Sequence, residues 1–285
     1  LGLYPYLGYP LVAALLASTR RRRAPAAAPP TSVSVVISAY DEAAVIEATV
    51  LDKLAQDFAG TLEVLVASDG SVDGTDEIVA AIARRDPRVQ LIRQEPRQGK
   101  TAALNELVAR ARGEIVVFSD ANSLYRPDTI RRLVESFADP TVGYVTGKMI
   151  YVTAQGTPVG TGCSAYMRYE NALRALETRI GSVVGVDGGV DAVRRALYRP
   201  MRADQLPDFV LPLRVVEQGF RVVYQPDALL HEHSLEDSRS EYRMRVRVAL
   251  RALWALRDHA GLLSGGAGPT FAFQLWSHKV LRCLS

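Results

Sequence analysis

The sequence predicts an α/β domain built on a mostly parallel sheet with helices on both faces, and three observations predict it. Short apolar runs at Val33–Ser38, Leu62–Ala67, Val89–Arg93, Glu114–Phe118 and Val142–Met149 have the length and composition of buried strands. Amphipathic segments near Ala44–Ala55, Asp76–Arg85, Thr101–Ala111 and Asp128–Phe137 alternate with them, as in successive βαβ units. Two of the strands run into acidic turns, Ser68-Asp69-Gly70-Ser71-Val72-Asp73-Gly74-Thr75 and Ser119-Asp120-Ala121-Asn122. Both turns stand at the carboxyl edge, where open α/β sheets hold ligands.

The 285 residues divide into four stretches, 1–19, 20–31, 32–260 and 261–285. The chain is long enough to bury a substantial core, and a net charge of +3 is too small to argue for a nucleic-acid partner. Leu1–Thr19 carries no charged residue and Arg20–Arg23 follow it directly. A signal peptide carries its positive charges before the apolar stretch, so this order predicts a membrane-associated segment with the arginines and the domain on the cytoplasmic side. A span takes about twenty residues. Pro5 and Pro10 interrupt this one, which leaves a span, a hairpin and an interfacial helix open. The first residue is Leu rather than Met, so a longer segment is expected in the full protein.

Ala24–Pro30 reads as a semi-rigid linker. At the other end, Leu262–Pro269 is a Gly-rich break before Phe271–Leu284, where apolar residues interleave with Gln274, His278, Lys279 and Arg282. An amphipathic helix lying at a membrane surface and a helix packed on the domain both fit that pattern, and a further span is expected beyond Ser285. Cys163 and Cys283 are far apart in unlike contexts, which excludes a disulfide framework and a thiolate metal site.

Within the domain, Asp73 or Thr75 can cap the helix that starts near Asp76, but neither accounts for Asp69, which lies before the cap. Asp120 and Asn122, two apart on an extended segment, would share one side of it. Lys100 stands at a helix start, where the dipole alone disfavours a cation and a bound diphosphate would favour it. After Tyr151 the pattern loosens into a helix at Tyr166–Ile180 and a Gly-rich turn at Gly185–Gly189. His231 and His233 straddle Glu232 at the end of a strand; a metal site fits them, and so does a plain solvent-facing pair.

In this order the residues resemble the family 2 inverting glycosyltransferases, whose nucleotide-sugar domain has the GT-A fold; the resemblance covers most of Ser32–Ala255. Ala39-Tyr40-Asp41-Glu42 is similar to the family's P-x-Y-N-E turn, which implies that Tyr40, Glu42 and Asp69 meet the base and ribose of a nucleotide. Arg97-Gln98-Gly99-Lys100, with Asn105, resembles the G-K-x-x-A-L-N segment and assigns Lys100 to the diphosphate. Asp120 and Asn122 stand where the D-x-D motif lies, which implies that they hold Mg or Mn on the diphosphate of a UDP-sugar, Asn122 weakening the site because it is neutral. Gly185–Gly189 and then Val193-Arg194-Arg195-Ala196-Leu197 resemble the acceptor-side segment of small residues leading into an R-R-x-L helix.

Inverting transfer also needs a base for the acceptor hydroxyl. Asp208, in Leu206-Pro207-Asp208-Phe209 and 11 residues before Gly219, matches the family's E-D motif with Pro207 in place of the Glu; Asp204 is the second choice. The predicted helix Ser240–Leu256 carries Arg243, Arg247 and Arg251 on one stripe. The Q-x-x-R-W motif of the processive synthases maps onto it with Met244 for the Gln, Val248 for the Trp and Arg247 keeping the Arg. This implies a diphosphate contact for Arg247 and argues against a full polymer synthase; attraction of the stripe to anionic lipid is the alternative.

The expectation is therefore a membrane-associated hexosyl- or N-acetylhexosaminyl-transferase that uses a UDP-sugar and Mg or Mn on a glycan or lipid-linked acceptor, for cell-surface glycan or glycolipid synthesis. Two rivals stand beside it. Asn122, Pro207, Met244 and Val248 fit a degenerate GT-A binding or regulatory module. A nucleotidyltransferase would show a Gly-rich, Arg/Lys-bearing loop after the first strand, and Ala39–Ala44 has none.

Overall fold

The computed structural model describes residues 3–20, 27–152, 161–233 and 250–283. Helix α1 (Tyr9–Ser18) precedes a first half in which β1 (Ser32–Ala39), α2 (Ile46–Leu54), β2 (Thr61–Asp69), α3 (Thr75–Arg85), β3 (Val89–Gln94), α4 (Lys100–Arg110) and β4 (Ile115–Asp120) alternate. β1 pairs in parallel with β2 and with β4, and β2 with β3. β1, β2 and β4 are covered on both faces, which is why their sequences read as mostly apolar runs rather than alternating ones.

The second half opens with the two-residue edge strand β5 (Leu124–Tyr125) and α5 (Thr129–Glu135). Then come β6 (Val142–Val152), α6 (Thr161–Ile180), β7 (Asp191–Arg194), α7 (Pro207–Glu217) and β8 (Arg221–His233). Residues 250–258 form α8, followed by α9 (Ala260–Leu263) and α10 (Pro269–Leu275). The single sheet has the order β3-β2-β1-β4-β7-β6-β8-β5, with β7 antiparallel to both β4 and β6 and β8 parallel to β6. A register shift between Thr146 and Lys148 bulges β6 at Gly147, whose N–H donates to the Val190 carbonyl at 2.8 Å.

One expected element changes type. Val193–Leu197, which resembles the segment leading into an R-R-x-L helix, is instead the end of β7 and a single 3-10 turn, Arg195–Leu197. The backbone of Ala192 and Val193 is paired on both sides, and Arg194 donates from Nε to the Val142 carbonyl at 2.7 Å and from Nη2 to the Phe137 carbonyl at 2.7 Å, so no helix can form there.

The terminal segments pack together on α6. Tyr9, Ala13 and Ala17 recur every four residues on α1 and are fully buried against Leu173 and Ile180. Arg179 Nη2 donates to the Ala17 carbonyl at 3.1 Å, placing a cation at the C-terminal end of α1 where the dipole favours it. In the C-terminal segment Phe271 and Leu275 enter the core while Phe273 and Trp276 stay exposed. Among the described residues no helix is long and apolar enough to cross a membrane.

Candidate functional site

Three turns at the carboxyl edge of the parallel half are bonded to one another. Asp41 adopts a left-handed conformation, φ 53°, which a short polar side chain tolerates. Its N–H donates to Ser71 Oγ at 3.1 Å and its Oδ1 accepts from the Val72 N–H at 2.9 Å. The N–H groups of Glu42 and Ala43 donate to Thr75 Oγ1 (2.9 Å) and Asp73 Oδ2 (2.8 Å). Asp73 Oδ1 accepts from the Thr75 N–H at 3.0 Å, just past Gly74, the N-cap residue of α3, so the turn-organising role falls to Asp73.

Asp69 is 2% exposed, and its two oxygens accept from the N–H groups of Gln98 (2.7 Å) and Gly99 (2.8 Å). It therefore holds the loop that carries Arg97, whose Nε lies 3.6 Å from Asp69 and whose guanidinium stacks 3.5 Å from the centroid of the Tyr40 ring. Tyr40 is 41% exposed, and an open aromatic ring with a planar cation beside it is a surface on which a base can stack. The Glu42 carboxyl is partly buried next to them. Burial first, and then the charges of Asp120, Asp73 and Asp41, push its pKa up.

Asp120 ends β4, and Lys100, the first residue of α4, donates to its Oδ1 at 2.5 Å. Burial pulls the Lys100 pKa down, but the carboxylates of Asp120 and Asp208 outweigh it and hold the ammonium above its ordinary value. The Lys100 side chain keeps 45% of its exposure, so solvent screens the pair and it adds little to stability. A screened pair of this kind can exchange partners with an incoming anion.

The chain turns immediately after Asp120, which corrects the expected extended alternation. Ser123 N–H donates back to the Asp120 carbonyl at 3.3 Å, and the Ala121 carbonyl is captured by Thr49 Oγ1 at 2.6 Å. Buried Lys53 pins the turn by donating to the Ser123 carbonyl and to Asp52, each at 2.6 Å. Asn122 is consequently exposed at the rim, and Ser123 is the residue returned to Asp120's side. A Cβ built on Gly189 would lie 3.4 Å from Asp120 Oδ2 and 3.6 Å from Ser123 Oγ, and that hydroxyl is buried without a partner.

Among the described residues no three His, Cys, Asp or Glu side chains converge as a complete metal site. Mg and Mn at phosphate sites take one or two carboxylates and complete their shells with substrate phosphates and water. Asp120, the orphaned Ser123 hydroxyl and Asn122 at the rim are oxygen donors that fit such an ion.

Asp208 stands near enough to Lys100 and Asp120 for both charges to act on it. Pro207 occupies the first position of α7, where its missing N–H costs nothing, and this puts Asp208 in the first turn. Gly188 and Gly189 have φ of 76° and 71°, a conformation that glycine alone takes without strain. A Cβ on Gly188 would lie 3.0 Å from Asp208 Oδ2, so adjacent glycines lie against Asp208 and Asp120. Burial raises the Asp208 pKa, Lys100 lowers it and Asp120 raises it again, with a net upward shift of the sort a general base needs. The loop before α7 is tied to α4: Asn105 Nδ2 donates to the Met201 carbonyl at 2.7 Å, and Thr101 Oγ1 donates to the Gln205 carbonyl at 3.1 Å. Asp204, the second choice, is exposed and paired with Arg202 at 3.1 Å.

Asp191 belongs to this site and was not foreseen. It is 1% exposed, and neither carboxylate oxygen has a hydrogen-bond partner, although Tyr144 and Thr146 adjoin it. Burial first, relieved in part by Thr146 and reinforced by Asp208, pushes its pKa up to about 7. The signal for it was a carboxylate inside the otherwise apolar Val190–Val193.

Arg247, with Arg243, Met244 and Val248, lies outside the described residues, as do Arg21–Arg23 and the side chains of Glu232 and His233. His231 sits on β8 opposite Leu124 of β5, and no metal cluster forms around it among the described residues.

A family model described as Glycosyl transferase family 2 matches residues 34–189, from β1 through the two glycines. An N-acetylglucosaminyltransferase of Rhizobium sp. (strain N33) is 29% identical over 215 residues, 70% of this chain and 47% of that protein. The chain thus spans about half the length of that relative. A mannosyltransferase from Pyrobaculum calidifontis, solved with GDP-Man and Mn2+, superposes with a TM-score of 0.77 at 26% identity, over 98% of this chain and 79% of that one. Residues 1–349 of S. aureus TarS, solved with UDP-GlcNAc, share the fold at 17% identity, with a TM-score of 0.58 over 88% of this chain and 74% of that one.

Proposed function

Because the chain belongs to glycosyl transferase family 2 and has a GT-A-like fold, we propose that it transfers a sugar from a nucleotide-sugar donor to a hydroxyl of a glycan or lipid-linked acceptor, inverting the anomeric carbon. One observation carries the reading: the adjacent glycines Gly188 and Gly189 lie against Asp208 and Asp120 respectively, and the charges of Lys100 and Asp120 both act on Asp208. UDP-GlcNAc is the proposed donor, supported by a relative named N-acetylglucosaminyltransferase and by the UDP-GlcNAc complex among structures of this fold.

In this reading the base stacks against Tyr40 and Arg97, while Glu42 and the loop held by Asp69 face the ribose. Lys100 meets the diphosphate, and Arg247 is a further candidate for it. A Mg or Mn ion, when bound, neutralises charge on the leaving diphosphate, and Asp120 with Ser123 and Asn122 would hold it. Asp208 accepts the proton of the acceptor hydroxyl as that oxygen bonds to the anomeric carbon, and the bond to the diphosphate breaks with its electron pair leaving on UDP. Attack without an enzyme nucleophile inverts the centre. Incubation with a panel of nucleotide sugars tests the reading: UDP release with UDP-GlcNAc is expected, and no release from any donor would turn the chain into a binding module.

Membrane attachment is part of the proposal. Leu3, Leu7, Leu11 and Leu15 recur every four residues on the face of the N-terminal helical segment turned away from α6, and all are exposed. Arg20–Arg23 follow them in sequence. An apolar stripe beside a basic run suits a helix lying in an anionic lipid surface on the cytoplasmic side. Co-sedimentation with anionic vesicles should fall when Leu11 and Leu15 become Ser, and an engineered Glu135→Cys should stay unlabelled by impermeant reagent in intact cells. Unchanged co-sedimentation, or labelling of intact cells, would refute the surface and the sidedness respectively.

A further inference from the structure

The carboxylates in the layer between α6 and the C-terminal segment are all engaged. Glu177 accepts from Tyr9 Oη at 2.7 Å and from the Val184 N–H at 3.2 Å, and its Oε1 lies 2.7 Å from His278 Nδ1. Glu170 accepts from Arg282 Nη1 at 2.5 Å and stands 3.3 Å from His278 Nε2. Asp187 is gripped by both terminal nitrogens of Arg174, so the carboxylates nearest to the segment already have their hydrogen-bond partners.

Lys279 is left over. Among the described residues it makes no hydrogen bond and no ion pair, although it is partly buried. Its ammonium crosses Gly185, where any Cβ would overlap Nζ, and stands 6.0 Å from the centroid of the Phe209 ring. Burial is the main cause that lowers its pKa; Glu170 and Glu177 oppose the shift, while Arg174 and Arg282 add to it. A desolvated ammonium without a counter-ion is unfavourable as a stability device, and it becomes favourable when a ligand brings the anion.

Its position says which ligand. Gly185 opens the glycine-rich segment, and Gly188 of that segment touches the base Asp208, which Phe209 follows in α7. Three residues span at most about 11 Å. Lys279 reaches this segment from the α6 and C-terminal side, not from the parallel half that carries Lys100 and Asp120. In the transferase reading Asp208 faces the attacking hydroxyl, so a cation on the same glycine segment and beside Phe209 stands on the acceptor's side.

We propose that Lys279 binds an anionic phosphate group on the acceptor and thereby selects acceptors that carry a phosphate ester close to the receiving hydroxyl. The proposal rests on the transferase reading above. Dodecyl phosphate and dodecyl maltoside, which share the alkyl chain and differ in charge, serve as acceptor-side probes, and UDP with Mn reports the donor side. In calorimetric titrations Lys279→Gln should weaken dodecyl phosphate by about tenfold or more and leave dodecyl maltoside and UDP within about twofold, the size of effect expected for one lost charge-assisted hydrogen bond. Lys279→Arg should retain binding of dodecyl phosphate. Gly185→Ala, whose methyl displaces the ammonium, should reproduce the selective loss and serves if Lys279→Gln fails to fold.

Equal losses for the two dodecyl probes, or no loss for either, would overturn the proposal. A loss confined to UDP would overturn it by assigning Lys279 to the donor diphosphate. A parent protein that releases UDP from no nucleotide sugar would remove the transferase reading on separate grounds, and the two dodecyl titrations would still decide whether Lys279 is an anion site.

Discussion

In the turns at the carboxyl edge of the parallel half Asp41, Asp69 and Asp73 accept from backbone N–H groups, whereas Glu170, Glu177 and Asp187, around α6 and the C-terminal segment, bond mainly to side chains. In the first half Asp41, Asp69 and Asp73 each accept from N–H groups of neighbouring turns, and the three turns lock into one edge. In the second, Glu170, Glu177 and Asp187 meet His278, Arg282, Tyr9 and Arg174, partners up to 168 residues away. The difference separates two tasks. In the proposed reading the hydrogen-bonded edge is a fixed frame for a nucleotide, and the internal layer joins the two terminal segments to the domain while leaving Asp191 and Lys279, among the described residues, without hydrogen-bond partners.

The largest expected effect lies where the halves meet. Asp208→Asn should lower transfer by roughly two to four powers of ten and leave UDP affinity unchanged, because it removes the proton acceptor and spares the donor contacts. Rates within about tenfold of the parent would take the base role from Asp208. Next comes the charge layer. Glu177→Leu strands His278 and Tyr9 without their acceptor, and breaking a buried ionic cluster in this way costs about 3–5 kcal/mol. Chemical denaturation should show a loss of that size; a change below about 1 kcal/mol would mean that the layer is not what joins the termini.

Asp191 should act in the opposite direction. Its folded pKa of about 7 lies above the 3.8 of an ordinary Asp, so the stability it allows is fully present below pH 3.8 and is lost as pH rises through 7. Asp191→Asn should then stabilise the protein at pH 8 by on the order of 1–4 kcal/mol and leave it unchanged at pH 3. Denaturation curves at the two pH values check this, and equal effects at both would contradict it. In the parallel half the effect is smaller: Asp69→Asn replaces one acceptor oxygen by an NH2 against a backbone N–H and should cost about 1–3 kcal/mol. Nucleotide affinity should fall with it as the Arg97 loop loosens, and a variant with full stability and affinity would show that the loop is held by other contacts.

What was legible in the sequence follows the same division. Turn chemistry is local, so the acidic turns at Asp69–Thr75 and Asp120–Asn122, the strands before them and the helices after them could be read from spacing and residue type. Asp208 was proposed through its resemblance to the E-D motif and its spacing to Gly219, with Pro207 departing from that motif. The turn that exposes Asn122 and recruits Ser123 was not, because it is set by Thr49 and Lys53, 70 or more residues earlier in the chain. Long-range pairing likewise hid β7, since Ala192 and Val193 become a strand only when β4 and β6 flank them. Lys279 was visible as one polar residue in an amphipathic run, and only its packing over Gly185 separates it from a solvated lysine.

The stereochemistry of the released sugar tests the central claim most directly. In the proposed reading Asp208 is the base and Asp120 holds the metal, and among the described residues Asp191 is sealed from solvent, so no carboxylate is left to act as a nucleophile. Proton NMR of the first-formed product from UDP-α-GlcNAc, with water or an added acceptor taking the sugar, should show the β-anomer before mutarotation. An α-anomer would contradict inversion and require an enzyme-bound sugar that this arrangement of Asp120, Gly188, Gly189 and Asp208 does not provide for.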